Sequence, residues 1–78
     1  MTANQIYKKI GKMIRQIRCE KKISQEKLAF DSNLNRAYIG YIERGERHPS
    51  IATVYKISLA LKTPIYQLFI FNKKGTKK

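Results

Sequence analysis

Apolar residues in the first quarter of the chain recur at steps of three and four, which is the repeat of one face of an α-helix. This stripe consists of Ile6, Ile10, Met13, Ile14 and Ile17, and lysines and arginines occupy the other side. The pattern predicts an amphipathic first helix that ends near residue 21. Two caps fit its start: Thr2, which has the spacing of a capping box with Gln5, or Asn4.

Two short helical segments follow the first helix. Ser24 is a good N-cap for the segment QEKLAF. The triplet DSN interrupts it, and Asn33 suits the left-handed conformation of a tight turn. Asn35 is expected to cap the next helix, and Gly45 to end it as a left-handed residue. These signals predict helices over residues 24–30 and 35–44, joined by a turn of about four residues.

The pattern of apolar residues in the rest of the chain predicts two more helices. Ser50 can cap a fourth helix, whose apolar residues are Val54, Ile57, Leu59, Ala60 and Leu61. Thr63 and Pro64 fit the N-cap and first position of a last helix, PIYQLFIF. Because no stretch alternates like a strand, we expect an all-α, compact five-helix domain over residues 1–71. A basic C-terminal tail over 72–78 follows it.

The charge balance changes this picture from a plain helical domain to a binding module. The chain has 17 Lys and Arg against 5 Asp and Glu, a formal net charge of +12 over 78 residues. Such a field favours polyanions, with nucleic acid first and an anionic membrane surface second. A charge that merely keeps the protein in solution is the alternative.

The candidate chemistry argues against an enzyme. The chain has one histidine, His48, and neither a metal-spaced cluster nor a glycine-rich phosphate loop, so we expect no catalysis, cofactor or metal. Its single cysteine, Cys19, is interpreted as a small packing residue and fits a cytoplasmic location. No apolar run approaches the ~18 residues that span a bilayer.

The two short helices over residues 24–44 have the spacing of a helix-turn-helix unit. If Ile39 and Ile42 point inward, a helical wheel directs Ala37, Gly40, Tyr41 and Arg44 outward, with Arg36 and Tyr38 beside them. An arginine near a helix N-terminus can pair with guanine in a major groove ~12 Å wide. Tyrosine hydroxyls suit phosphates or base edges, so we expect Tyr38 and Tyr41 to contact bases, although both could instead pack under neighbouring side chains.

Other polar residues flank this predicted recognition helix. Contacts to the DNA backbone are expected from Gln25, Asn35, Arg44, Arg47 and Arg15. Glu43 would repel phosphate if it faced DNA, so we expect it to form an internal ion pair with Arg18.

From residue 11 to 69 the chain resembles the Xre-type, phage-repressor-like helix-turn-helix regulators. The resemblance rests on IRQIRCEKKISQEKLAF, LNRAYIGYIERGERHPS and KISLALKTPIYQLF. Within that family it is most similar to restriction–modification controller proteins. It implies a homodimer on a pseudo-palindromic operator that activates and represses transcription. It also implies base contacts from Arg36, Ala37 and Tyr38, a DNA contact from Arg47, and the Arg18–Glu43 pair.

The apolar C-terminal quarter supports a dimer independently, because so small a domain cannot easily cover it. We expect Ile65, Leu68 and Phe69 near a two-fold seam that sets the recognition helices ~34 Å apart. Alternatively, Leu68 and Phe69 close the monomer core.

Three other functions fit parts of the pattern: a prophage-type repressor, an antitoxin of a toxin–antitoxin pair, or a basic RNA-binding or surface-binding module. For the regulator, RNA polymerase is a further candidate partner, the nucleoid is the expected location, and no membrane contact is expected.

Overall fold

The computed structural model describes residues 1–71, and the predicted basic tail over 72–78 lies outside the described residues. Its elements, in chain order, are α1 (Ala3–Glu20), α2 (Gln25–Ser32), α3 (Arg36–Glu43), α4 (Ile51–Ala60) and a 3-10 segment (Ile65–Phe69). No strand occurs within residues 1–71. The all-α class is therefore confirmed, whereas the expected five α-helices are four and a 3-10 turn.

Each α-helix begins at a polar side chain that satisfies a backbone N–H left unpaired by helix geometry. At α1 the cap is a capping box: Thr2 Oγ1 accepts from the N–H of Gln5 at 3.2 Å, and Gln5 Oε1 accepts from the N–H of Thr2 at 2.8 Å. The alternative cap, Asn4, lies inside the helix. Equivalent contacts are made by Ser24, Asn35 and Ser50.

The turn between α2 and α3 begins later than the sequence predicts. Asn33 adopts the left-handed conformation at φ 61°, as expected, but Asp31 and Ser32 belong to α2. Ser32 is buried in the last turn of the helix, and its hydroxyl is satisfied there by donating to the carbonyl of Leu28 at 2.6 Å. The two helices are therefore separated only by residues 33–35.

The predicted α-helix over 64–71 is wrong. The hydroxyl of Thr63 does not cap the segment but donates to the carbonyl of Leu61 at 3.0 Å. The backbone then forms a 3-10 bond, from the N–H of Gln67 to the carbonyl of Pro64 at 3.0 Å. The Leu61 carbonyl also accepts from Lys21 Nζ at 2.8 Å, which ties the end of α1 to the end of α4.

All four helices and the 3-10 segment contribute to a single core. Its largest fully buried side chains include Ile14, Leu28, Ile39, Ile42, Ile57, Leu61 and Leu68. Leu68 has 0% of its surface exposed, so its predicted place in a dimer seam is wrong and the alternative, closure of the monomer core, holds. Cys19 is exposed rather than a packing residue, because it lies about 200° around α1 from Ile17.

Gly11 sets the distance between α1 and α3, and the sequence pattern did not indicate this. A Cβ atom added at Gly11 would collide with the carbonyl oxygen of Ile42 and lie 2.8 Å from that of Glu43. Both obstacles are backbone atoms, which cannot rotate away. The absence of a side chain at Gly11 therefore lets α1 lie directly against the C-terminal half of α3. This close contact fixes the orientation of the predicted recognition helix relative to α1.

Candidate nucleic-acid interface

The N-terminal end of α3 projects polar groups away from the core. Arg36 and Ala37 are exposed, and within residues 1–71 no carboxylate pairs with Arg36. Asn35 is exposed as well, but its side-chain oxygen already accepts from the N–H of Tyr38 at 2.8 Å. Only the amide N–H groups of Asn35 remain available to a phosphate, whereas all the donors of Arg36 are available.

A shallow surface depression beside Arg36 brings together arginines of α1 and α3 and the N-terminal end of α2. Its lining residues are Arg15, Arg18, Ser24, Gln25, Glu26 and Arg36. Arg15 on α1 is exposed and so adds its charge to that of Arg36. The start of α2 also lies here, with the unpaired N–H groups and positive dipole end that attract anions. The arrangement brings together three of the predicted contact residues.

Behind this surface, Glu43 accepts hydrogen bonds from two elements. Arg18 donates to it in a bidentate manner, from Nε to Oε2 at 2.7 Å and from Nη2 to Oε1 at 3.1 Å. Arg18 Nη1 also donates to the carbonyl of Ile23 at 2.9 Å. This pair joins α1 to α3, and both side chains are largely inaccessible to solvent. The hydrogen bond to Glu43 raises the pKa of Arg18 above its ordinary value, so its charge persists.

Gln25 belongs to the same network, which limits its expected role as a phosphate contact. Its Nε2 donates to Glu43 Oε1 at 3.0 Å, so the amide N–H is directed inward. The side chain therefore connects the first residue of α2 to the last residue of α3. A phosphate at this end of α2 would be met by backbone N–H groups rather than by the Gln25 amide.

Two positions of α3 differ from the helical-wheel expectation. Gly40 is buried, not outward-facing, because the side chain of Arg44 folds over it: an added Cβ would lie 3.3 Å from Arg44 Nη1 and 4.0 Å from Gln25 Nε2. Tyr38 is half-buried and packs against the core, so the packing alternative applies to it at least in part. The helical wheel gives the direction of each side chain relative to Ile39 and Ile42, but it does not show which long side chains fold over a neighbouring residue.

The C-terminal end of α3 carries an exposed aromatic and two arginines. The ring of Tyr41 has the guanidinium carbons of Arg44 and Arg47 at 5.1 and 5.0 Å from its centroid. Arg44 also pairs with Glu46 at 3.2 Å, with both side chains about half exposed. All three predicted contact residues thus lie at one end of the helix.

The loop after α3 is anchored on α1 by an aromatic stack that sequence reasoning missed. The rings of Tyr7 and His48 lie 4.2 Å apart and within 6° of parallel. Tyr7 directly follows Ile6, which belongs to the apolar stripe. No sequence signal paired Tyr7 with His48, a loop residue 41 positions away. The stack fixes the loop that carries Arg47.

A second exposed surface is apolar and involves different elements. Ile51, Tyr55 and Leu59 recur every four residues along α4, and all three are exposed, Leu59 by 58%. Tyr66 and Phe69 of the 3-10 segment are exposed too, while Ile65 is half-buried. We call Ile51, Tyr55, Leu59, Tyr66 and Phe69 the apolar surface. The apolar surface includes Phe69, which belongs to the predicted seam, but not the buried Leu68. Three of its five residues lie on α4.

Neither a metal centre nor a membrane span is visible in the part of the chain that the structure describes. No group of three or more histidine, cysteine or acidic side chains lies close enough to hold a metal ion there. No helix among the described residues is long and apolar enough to cross a membrane.

Comparisons with known proteins show similarity to a helix-turn-helix family and to restriction–modification control proteins. Residues 14–68 match the family model described as HTH_3, helix-turn-helix. The control protein C.BamHI of Bacillus amyloliquefaciens is 45% identical over 73 residues, which cover 92% of this chain and 90% of that protein. The restriction–modification controller C.AhdI of Aeromonas hydrophila matches with a TM-score of 0.84 and 38% identity, over 88% of this chain and 100% of its own.

A solved complex adds DNA to these comparisons. The controller protein C.Esp1396I has been solved as a tetramer on its natural 35 base-pair operator. Its chain matches this one with a TM-score of 0.79 and 36% identity, over 94% of this chain and 96% of its own.

Proposed function

The chain belongs to the HTH_3 helix-turn-helix family, and from that membership we propose that it is a dimeric, sequence-specific transcription regulator of the restriction–modification controller kind. Its relatives with that description match it over most of both chains, and one of them is known in complex with operator DNA. The regulated promoter would carry a pseudo-palindromic operator. The protein acts by binding, without catalysis.

The observation that carries this proposal is the exposed N-terminal end of α3. Arg36 and Ala37 stand clear of the core with no carboxylate against the guanidinium, next to the cationic group Arg15. An α-helix fits the major groove, where an arginine pairs bidentately with guanine O6 and N7. Ala37, as a small apolar side chain, suits a thymine methyl group. Arg36 and Ala37 therefore serve as the main base contacts in our proposal.

The remaining contacts are assigned by position. Tyr38 and Tyr41 border the base-reading end, while Arg15, Asn35, Arg44 and Arg47 supply donors for the phosphate backbone. Contacts to phosphate position the helix, and base contacts specify the sequence. The Arg18–Glu43–Gln25 network holds α3 against α1 and α2, so that the reading end has a defined orientation.

The dimer forms through the apolar surface. Large contiguous apolar patches are uncommon on soluble monomers and usually mark interfaces. Since two-fold closure is the commonest arrangement, two copies would present their α3 helices to major grooves ~34 Å apart. Residues 1–71 act as one DNA-binding and dimerisation domain, and the lysines of the 72–78 tail add to the positive field. RNA polymerase is the partner that activation requires.

Selection of bound sites from random duplex DNA at a salt concentration of ~150 mM tests the proposal. We expect a two-fold-symmetric motif whose half-sites lie about one helical turn apart. The Arg36→Ala protein serves as the matched control and should select a motif degenerate at one position of each half-site. Tight binding at low salt without any recovered motif would contradict the proposal and favour an RNA-binding or antitoxin function.

A further inference from the structure

Tyr41 contacts two arginines that come from different pieces of local structure. Arg44 is the C-cap of α3, and Arg47 lies in the loop beyond the left-handed Gly45, whose φ is 75°. Their guanidinium carbons lie 5.1 and 5.0 Å from the centroid of the ring. Both distances are inside the range of about 6 Å over which a cation is attracted to an aromatic face.

The two arginines differ in their other partners. Arg44 Nε also bonds Glu46 Oε1 at 3.2 Å, so part of its charge is already matched by a carboxylate. Within residues 1–71, Arg47 has no carboxylate partner, and its guanidinium contacts the ring of Tyr41. A cation–π contact occupies no N–H donor of a guanidinium with a carboxylate, so those donors remain available to an anion. Arg47 is thus held without being neutralised.

The backbone beside Arg47 is held as well. His48 stacks on Tyr7 of α1 at 4.2 Å with the rings 6° from parallel, and Pro49, next in the chain, is buried. The side chain of Arg47 therefore contacts Tyr41, while the neighbouring His48 stacks on Tyr7. A loop arginine held in this way has far fewer conformations than an isolated arginine on the surface.

We infer that Tyr41 is a positioning residue, whose ring presents the N–H donors of Arg47 to a DNA phosphate before the protein meets DNA. The inference rests on the proposed function and assigns Tyr41 a role other than the predicted base contact through its hydroxyl. An arginine that is ordered beforehand loses less conformational freedom on binding. Loss of the ring should therefore weaken operator binding about two- to ten-fold.

Three variants separate the ring from the hydroxyl. Tyr41→Phe keeps the aromatic face and removes the hydroxyl, whereas Tyr41→Leu removes both, and Arg47→Met removes the charge but keeps an unbranched side chain. With the selected operator at a salt concentration of ~150 mM, Tyr41→Phe should bind like the unaltered protein and Tyr41→Leu several-fold more weakly. In the Arg47→Met background, Tyr41→Leu should have little further effect, which shows that the ring acts through Arg47.

The same variants give a readout in the free protein. By NMR, the side-chain Hε and Hδ resonances of Arg47 should be shifted upfield by the ring in the unaltered and Phe proteins, but not in the Leu protein. Melting temperature should be unchanged in Tyr41→Phe, which keeps the ring, and slightly lower in Tyr41→Leu and Arg47→Met, which lose ring–arginine contacts at a partly exposed site. This readout does not depend on DNA binding.

Several results would overturn the inference. Equal losses for Tyr41→Phe and Tyr41→Leu would assign the effect to the hydroxyl. Additive effects of Tyr41→Leu and Arg47→Met, or an Arg47 spectrum that is indifferent to residue 41, would show that the ring does not order the arginine. If the unaltered protein selects no operator, the proposed function is refuted, and so is the DNA-binding role of the Tyr41–Arg47 contact. The NMR shifts would still report whether the ring orders Arg47.

Discussion

Replacing Glu43 by alanine removes the acceptor that holds the predicted recognition helix to the two helices behind it. Three hydrogen bonds are lost, at 2.7, 3.1 and 3.0 Å, two from Arg18 and one from Gln25. No buried side-chain nitrogen or oxygen in the described residues now lacks a partner. The variant would leave a guanidinium, 11% exposed, with only the carbonyl of Ile23 to accept from it.

The expected loss of stability follows from that unpaired charge. Removing one partner of a buried ion pair costs about 3–5 kcal/mol. We expect the lower end, about 3 kcal/mol, because Arg18 keeps one bond and a small solvent contact. A domain of this length has a free energy of unfolding of roughly 4–12 kcal/mol. Since 1 kcal/mol shifts the melting temperature by about 4–8 °C, the midpoint should fall by about 12–24 °C.

Thermal unfolding followed by circular dichroism measures the change, with Glu46→Ala as the matched control. Glu46 forms an exposed pair with Arg44, which contributes about 0–1 kcal/mol. The double variant Arg18→Met/Glu43→Leu should recover much of the stability, because no charge is then left unpaired. A melting temperature for Glu43→Ala as close to the parent's as that of Glu46→Ala would refute the reasoning.

The pH dependence of the pair has a definite sign. Hydrogen bonding to Glu43 raises the folded-state pKa of Arg18. The stabilisation from this shift is complete below the unfolded-state pKa of arginine and is lost only as the pH rises through the folded-state value. The gap in stability between the parent and Glu43→Ala should therefore stay constant from about pH 7 to about pH 10. A gap that closes across that interval would contradict the assignment.

Three further predictions concern packing, specificity and assembly. Gly11→Ala should lower the free energy of unfolding by about 3 kcal/mol in urea titrations, because its Cβ meets backbone atoms. Gly40→Ala, whose Cβ meets only side-chain tips, is the control and should not destabilise the fold. Arg36→Ala should reduce discrimination at one operator position by about 1–3 kcal/mol in competition binding, whereas equal weakening on every sequence would indicate a phosphate contact. Leu59→Asp should give folded monomers in sedimentation velocity while Lys56→Asp stays dimeric, and a dimer in both would move the interface elsewhere.

Features of the fold that depend on adjacent residues were predictable from the sequence. The caps Thr2, Ser24, Asn35 and Ser50 act within three residues of themselves, so type and spacing suffice. The end of α2 was misjudged because Ser32 had the option of bonding back into its own helix, which composition alone does not reveal.

Features that depend on contacts across the fold were less accessible. The ion pair of Arg18 with Glu43 could be anticipated, because an acid on a DNA-facing helix needs a partner. By contrast, the burial of Leu68 could not be told from its neighbour Phe69, since a short apolar segment does not show which side faces inward. Gly11 gave no signal at all, because its role depends on how closely the backbone of another helix approaches.

In the proposed dimer, the 3-10 segment links the core of each copy to the interface. Leu68 fills the core from this short turn, while Tyr66 and Phe69 beside it belong to the apolar surface. A second copy that covers Tyr66 and Phe69 would bind a segment that the buried Leu68 already anchors to the core, so the interface needs no separate ordering of this segment. Under this proposal, mass action makes the dimer population rise more steeply than in proportion to the total amount of chain. A cell that has only begun to make this protein would then hold disproportionately little of it as the proposed DNA-binding dimer, and that delay requires no regulator beyond the chain itself.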